Sequence, residues 1–251
     1  FAREGASIFA VDLVPEAAAE TQGIITSEGG VCKTHTCDVT DATQAKAMID
    51  ACAAQFGRID ILINNVGGSM PGGPVELSQE DWQGQLDFNL TSAFLACKYA
   101  LPYMESQGGG AIVNISSSGA VGPGSGPYLT KPATPGISGY GAAKAALERF
   151  TQGLAQEVAH DGIAVTALAP SLIVPTSGAV FHGGARYLGD ENGEPPEVMG
   201  QATLLLATEP SEKVNGRVVY SQQILQEFGW ITNGVGTGID SNRPGSGFSM
   251  I

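Results

Sequence analysis

Basic residues are scarce in this chain: 12 lysines and arginines stand against 25 aspartates and glutamates, a formal net charge of −13. Such a surface repels phosphate backbones and anionic headgroups, so neither a nucleic-acid nor a membrane partner is expected. No apolar run approaches the roughly 20 residues that a bilayer span needs. Cysteine is sparse too. Cys32, Cys37, Cys52 and Cys97 form no CxxC pair, and a chain this long needs no disulfides, which points to a reducing, cytoplasmic compartment. Cys32, His35 and Cys37 lie close together, but on a predicted strand, where alternation turns Cys32 away from the other two. With no fourth ligand in view, no metal is expected.

What the chain does have is apolar: 43% of 251 residues are hydrophobic, enough for one full-sized core and too many for a disordered chain. Ser7–Val11, Val31–Cys37, Ile59–Asn64, Ala111–Ile115, Ile163–Leu168 and Arg217–Tyr220 read as strands. Most are short, β-branched and apolar on both faces, the pattern of buried parallel strands. Helices lie between them. Asp41, with Gln44 in capping-box position, opens one that Gly57 ends. A second runs from about Gln79 to Leu101, with Trp82, Leu86, Leu90, Phe94, Cys97 and Leu101 on one side, and a third follows Ser138 with Tyr140, Ala143, Leu147, Phe150, Leu154 and Val158 at helical spacing. This alternation predicts a Rossmann-like, doubly wound parallel sheet in a three-layer α/β/α domain over residues 1–231. Phe1–Glu4 and Gly5 read as a last helical turn and its cap. Gly119–Gly139, Phe181–Pro196 and the Gly-rich tail 232–251 break the pattern; the tail is expected to be disordered or packed on a neighbouring subunit.

Chemistry concentrates in a few places. Tyr140 and Lys144 stand four apart on a helix, hence on one face, where an ammonium favours phenolate and makes a general acid/base. Ser116-Ser117-Ser118 follow a buried strand, where hydroxyls open into a crevice. Asn89 sits mid-helix against its propensity. Asn64-Asn65-Val66-Gly67 follows another strand, with a glycine that lets a flat ring come close. Asp12 ends the first strand, where a carboxylate accepts from a ribose 2′-OH and repels a 2′-phosphate; its alternative reading is a helix cap.

In this order these motifs resemble those of the short-chain dehydrogenase/reductase family, from Phe1 to about Tyr220. Asn64-Asn65-Val66-Gly67 is similar to its NNAG, Asp38-Val39 to the pair that holds adenine, Ser117 to the catalytic serine, Tyr140/Lys144 to YxxxK, and Asn89 to the asparagine of the tetrad. The resemblance implies an oxidoreductase that interconverts a secondary alcohol and a ketone, with a homotetramer or homodimer as the assembly. Tyr140 would exchange the proton, Ser117 orient the substrate oxygen, Lys144 lower the tyrosine and bind ribose, and Asn89 hold a water. Asp12, Asp38, Val39, Asn65, Val66, Gly67, Ile173 and Thr176 would contact the cofactor, together with Tyr140 and Lys144. NAD is expected over NADP, because Leu13, Val14, Pro15 and Glu16 bring no cation near Asp12.

The sequence departs from the family in three places. The strand and TGxxxGxG loop with which the family begins are missing here. The stretch from Ser117 to Tyr140 is long and contains Tyr128-Leu-Thr-Lys131, whose spacing and following Pro132 and Pro135 mark it as inserted loop. Ala169-Pro170-Ser171 stands where a Pro-Gly is usual, which Ser171 tolerates only without positive φ. Ser116 and Ser118 remain substitutes for Ser117. His182 and Arg186 are candidates to meet an anionic group. Polyols, steroids, hydroxy acids and aromatic alcohols all fit as substrates. A non-catalytic dinucleotide-binding or scaffolding subunit, and a nucleotide-sugar epimerase or dehydratase, are the competing readings.

Overall fold

The computed structural model describes residues 1–70, 72–122, 136–181 and 184–241. Tyr128, Lys131, Pro132, Pro135, His182 and the end of the tail lie outside them. A short 3-10 turn, Ala2–Glu4, ends at Gly5 with φ 90. Strand β1 (Ser7–Asp12), helix α1 (Pro15–Ser27), β2 (Val31–Thr36), α2 (Ala42–Phe56) and β3 (Ile61–Asn64) follow. Helix α3 (Gln79–Leu86) passes through a π-helical turn, Asp87–Thr91, into α4 (Ser92–Gln107). Then come β4 (Gly110–Ile115), α5 (Ile137–Glu157), β5 (Ile163–Ala169), α6 (Ser177–Phe181), α7 (Pro196–Thr208), α8 (Ser211–Val214), β6 (Val218–Tyr220) and α9 (Ser221–Glu227).

Every strand pairing is parallel. Side chains alternate between two faces along β4 and β5, and two apolar clusters result. Ile112 and Val165 pack with Met48, Ala96, Met104 and Leu154 from α2, α4 and α5. Val113, Ala164 and Leu168 pack with Leu205, Leu206 and Ile224 from α7 and α9. Helices therefore cover both faces, which is the expected three-layer α/β/α architecture.

The expected single sheet is divided. β1 and β2 form one pair, and β3-β4-β5-β6 form a second sheet. Between the facing edges of β1 and β3 runs a cleft of about 580 Å³, lined from Gly5 and Arg58 at one end to Asp12 and Asn65 at the other. Its effect on burial is direct: β1, expected to be buried, has no buried residue, because its apolar side chains lack a neighbour on that side.

Helix α2 is capped as expected at Asp41, whose carboxylate accepts from Gln44 N at 2.8 Å. The Gln44 side chain does not close the box on Asp41; it accepts from Asp38 N at 3.1 Å, pinning the β2–α2 connection. The helix expected from Gln79 to Leu101 is broken by the π turn, and its apolar stripe is only partly buried: Cys97 lies in the core and Leu101 packs against it. Trp82 and Phe94 are 43% and 44% exposed, while Gln85, Asn89, Ser92, Ala96, Ala100 and Met104 face inward. The described part of the tail is bonded to the domain. Val235 N and Gly234 N donate to Gln222 and Gln226 of α9, and Thr237 N to the Ser171 carbonyl.

Candidate active site

The sequence-selected residues gather at the carboxyl ends of the parallel strands, where open α/β sheets form their crevices. Beyond β4 the backbone ladder continues for one residue, Ser116 N donating to Leu168 O at 2.8 Å. This holds Ser116 inward, 4% exposed, with its hydroxyl donating to Glu148 Oε1 at 2.8 Å. Ser117 then leaves the sheet in extended conformation. Its Oγ accepts from Gly119 N at 3.1 Å and hydrogen-bonds the Tyr140 phenol. Ser118 is exposed. Of the three serines, the geometry brings Ser117 to Tyr140.

Helix α5 begins after Gly136, whose φ of 86 turns the chain into it. Tyr140 lies in the first turn and Lys144 one turn on. Lys144 is 2% exposed, its Nζ donates to Ile115 O at 2.8 Å and stands 5.9 Å from the Tyr140 ring centroid. Burial pulls the ammonium down to about 8, and Glu148 acts in the opposite direction. At Tyr140 burial pushes the phenol up, and the Ser117 hydrogen bond draws it back down. Burial is the larger of the two effects at Tyr140, and the Lys144 ammonium beside it is held by the Ile115 carbonyl.

Asn89 explains its own position. In the π turn its Oδ1 accepts from Gly68 N at 3.0 Å, and its Nδ2 donates to Gly68 O and Gln85 O, both at 2.9 Å. Gln85, which sequence reasoning missed, donates to Gly68 O at 2.6 Å and accepts from Met70 N at 2.7 Å. The two amides clamp the segment after β3 onto the helix. A Cβ at Gly67 would lie 2.7 Å from Lys144 Nζ and 2.8 Å from Asn89 Oδ1. The absence of a side chain at Gly67 is what lets Asn89, Lys144 and the β3 loop share one cluster.

The remaining candidates occupy the rim. Asp12 ends β1, with Oδ1 accepting from Val14 N at 2.8 Å; Asp12 is thus a turn-forming residue, while helix α1 starts with Val14 as cap and Pro15 behind it. Asp38 accepts from Thr40 N and Oγ1, which holds its carboxyl below the ordinary value. Val39, Asn65 and Val66 line the upper end of the cleft with Asp12. Ile173 and Thr176 lie after β5 and are exposed; Thr176 Oγ1 accepts from Ala179 N at 3.2 Å. Ser171 is accommodated without strain, since no non-glycine residue among those described has positive φ. Its hydroxyl accepts from Gln222 N, its N–H donates to Ser221 Oγ, and buried Glu194 accepts from Ser221 and Gln222. Arg186 is no open anion site. Asp190 and Glu191 take its guanidinium, with contacts of 2.6 Å and 3.3 Å. Among the described residues no cluster has the makings of a metal site, and no helix is long and apolar enough to cross a membrane.

Glu148, Gln85 and Glu194 were all missed for the same reason: each is a polar residue on a face otherwise read as core or loop. The sequence does carry one signal, a carboxylate one turn beyond Lys144 on the inward face of α5.

Comparison with known proteins agrees with this geometry. Residues 1–180 match the family described as short chain dehydrogenase. The D-threitol dehydrogenase of Mycolicibacterium smegmatis is 32% identical over 222 residues, 86% of this chain and 82% of that one. Among solved structures, a 7α-hydroxysteroid dehydrogenase complexed with NADH and 7-oxo glycochenodeoxycholic acid superposes with a TM-score of 0.71 at 25% identity, covering 88% of this chain and 84% of that one. A gluconate 5-dehydrogenase from Burkholderia cenocepacia, complexed with NADP and tartrate, gives 0.73 at 27% identity over 87% and 85%.

Proposed function

The chain belongs to the short-chain dehydrogenase family, and from that premise we propose that it interconverts a secondary alcohol and a ketone with NAD, Tyr140 acting as general acid and base. The observation that carries this reading is the meeting of Ser117, Tyr140 and Lys144 at the carboxyl end of β4.

A nicotinamide dinucleotide, when bound, supplies or accepts the hydride. In ketone reduction the Tyr140 phenol gives its proton to the carbonyl oxygen, and Ser117 donates a second hydrogen bond to that oxygen. The Lys144 ammonium stabilises the phenolate left behind, before solvent returns the proton. Alcohol oxidation runs the same transfers backwards. A buried phenol keeps its proton well into the alkaline range, so reduction needs no further acid. Proton transfer of this kind contributes about 10²–10⁴ in rate, and Ser117 adds by orienting the oxygen. Asn89 keeps the β3 loop and Gly67 against Lys144.

The residues present suit a dinucleotide at both ends of the crevice. Gly67 lies against Lys144, and Asn65, Ile173 and Thr176, each following the end of a strand, would contact the cofactor on that side. Asp38 and Val39 stand at the adenine side, and Asp12 keeps one carboxylate oxygen for ribose hydroxyls while the other holds Val14 N. Its charge repels a 2′-phosphate, which supports NAD over NADP. Free thiols at all four cysteines support a cytoplasmic setting. The exposed Phe94, edge-on to Phe150 at 6.2 Å, supports a homodimer or homotetramer. The substrates in the names of the related proteins, a polyol, a bile acid and a sugar acid, support a small-molecule alcohol or ketone as substrate.

Tyr140→Phe is the test. Turnover should fall about 10²–10⁴-fold, while a fluorescence titration gives NADH affinity within about twofold of the parent chain. Retained turnover would overturn the mechanism, and a parent chain that binds neither NADH nor NADPH would overturn the cofactor assignment.

A further inference from the structure

One helical turn beyond Lys144, on the same inward face of α5, lies a second buried charge. Glu148 is 0% exposed. Burying a carboxylate costs several kcal/mol unless hydrogen bonds and opposite charge replace its hydration. Among the described residues, Ser116 from the end of β4 donates to it at 2.8 Å, and Lys144 from α5 and Tyr220 from the end of β6 act on it through charge. Tyr220 is 1% exposed and its hydroxyl has no hydrogen-bond partner among the described residues. Burial and the Glu148 charge together hold its phenol well above the ordinary value, so Tyr220 stays neutral and leaves Lys144 as the cation opposite the carboxylate.

Lys144 needs such a partner. At 2% exposure it has lost its hydration, and burial brings it to about 8 even with Glu148 nearby. Without the carboxylate the ammonium would be lost close to neutral pH. The same side chain also fixes the protein around the substrate oxygen, for Ser116 hangs between Glu148 and Leu168 O and directly precedes Ser117.

We propose that Glu148 is a positioning residue of this site: its carboxylate is the counter-charge that keeps buried Lys144 an ammonium, and through Ser116 it fixes the strand end that presents Ser117. Its catalytic meaning rests on the oxidoreductase reading above. Its electrostatic content concerns Lys144 alone and is tested without turnover.

The chain labelled with ¹³C at lysine Cε is titrated by NMR, with Lys144→Arg assigning the resonance. The Lys144 midpoint should fall near about 8 in the parent chain. In Glu148→Gln, which keeps a hydrogen-bond acceptor for Ser116 but loses the charge, the midpoint should drop by about one unit or more. The alkaline limb of kcat/KM for ketone reduction should move down with it, since reduction requires the protonated lysine. An unchanged midpoint in Glu148→Gln would overturn the proposal whatever the activity; a shifted midpoint in a chain without turnover would uphold the counter-charge and sink the oxidoreductase reading instead. Should Glu148→Gln not fold, Glu148→Asp carries the test. It draws the charge back by one methylene, so its midpoint should fall below the parent value, and a midpoint at or above that value would overturn the proposal.

Discussion

Every residue of β5 is buried, whereas β1 buries none. Both strands are mainly apolar and both pair in parallel, although β1 begins with Ser7 and ends with Asp12. What differs is their neighbours. β5 lies between β4 and β6 with helices over both faces, while β1 pairs with β2 alone and looks across an open cleft at β3. The burial of a parallel strand is thus conferred by what stands on either side of it. The polar groups repeat the contrast. In the larger sheet a chain of hydrogen bonds runs through the core: Asn64 Nδ2 to Asn114 Oδ1 at 2.8 Å, Asn114 Nδ2 to Thr151 Oγ1 at 2.9 Å, and Thr151 Oγ1 to Leu147 O at 2.8 Å. In the smaller pair the contact of Asp12 is local, spanning only to Val14.

Asn114→Ala should show the largest effect. It removes the donor to buried Thr151, a loss worth about 1–3 kcal/mol, and one of two partners of half-buried Asn64, which keeps Cys97 Sγ, so a loss of about 2 kcal/mol is expected from the urea midpoint at constant slope. If Asp12→Ala costs as much, the contrast fails. Amide exchange compares the halves directly. Amides of β4 and β5 should be protected about tenfold or more beyond those of β1, which would open without unfolding the rest; equal protection would mean that the cleft does not weaken its border. The smallest effect belongs to function at the weaker half. Asp12→Ala should narrow the gap between NADH and NADPH affinity by about tenfold or less, and an unchanged gap would remove Asp12 from cofactor choice.

The same contrast governs what could be read from the sequence. Strand positions came through within a residue or two, because short β-branched runs between turn signals are local features. The Asp41 cap and the order of the motifs are local as well. The division of the sheet is not, since it depends on which edges find a partner. Nor is electrostatics: the spacing of Tyr140 and Lys144 places them on one face, but only the fold shows the ammonium donating to Ile115 and burial dominating both groups. Arg186 reads as a free cation until Asp190 and Glu191 are seen around it. Ser116, Ser117 and Ser118 are indistinguishable as letters and are sorted by one further rung of the β4–β5 ladder.

The widened turn at Asp87–Thr91 acts as a phase shifter between two helices. From Gln85 to Met104 an unbroken α-helix would rotate about 100° past a whole number of turns, so a residue pinning the β3 loop and a residue filling the core beneath β4 would point in different directions. One extra residue absorbed in the π turn removes that rotation, and Gln85, Asn89, Ala96, Ala100 and Met104 are all buried. Deleting a single residue there would restore the regular period and yet unseat half of the helix. In this stretch the spacing between the amide clamp and the core is a counted length, so a deletion there should cost more than a conservative substitution on its outer face.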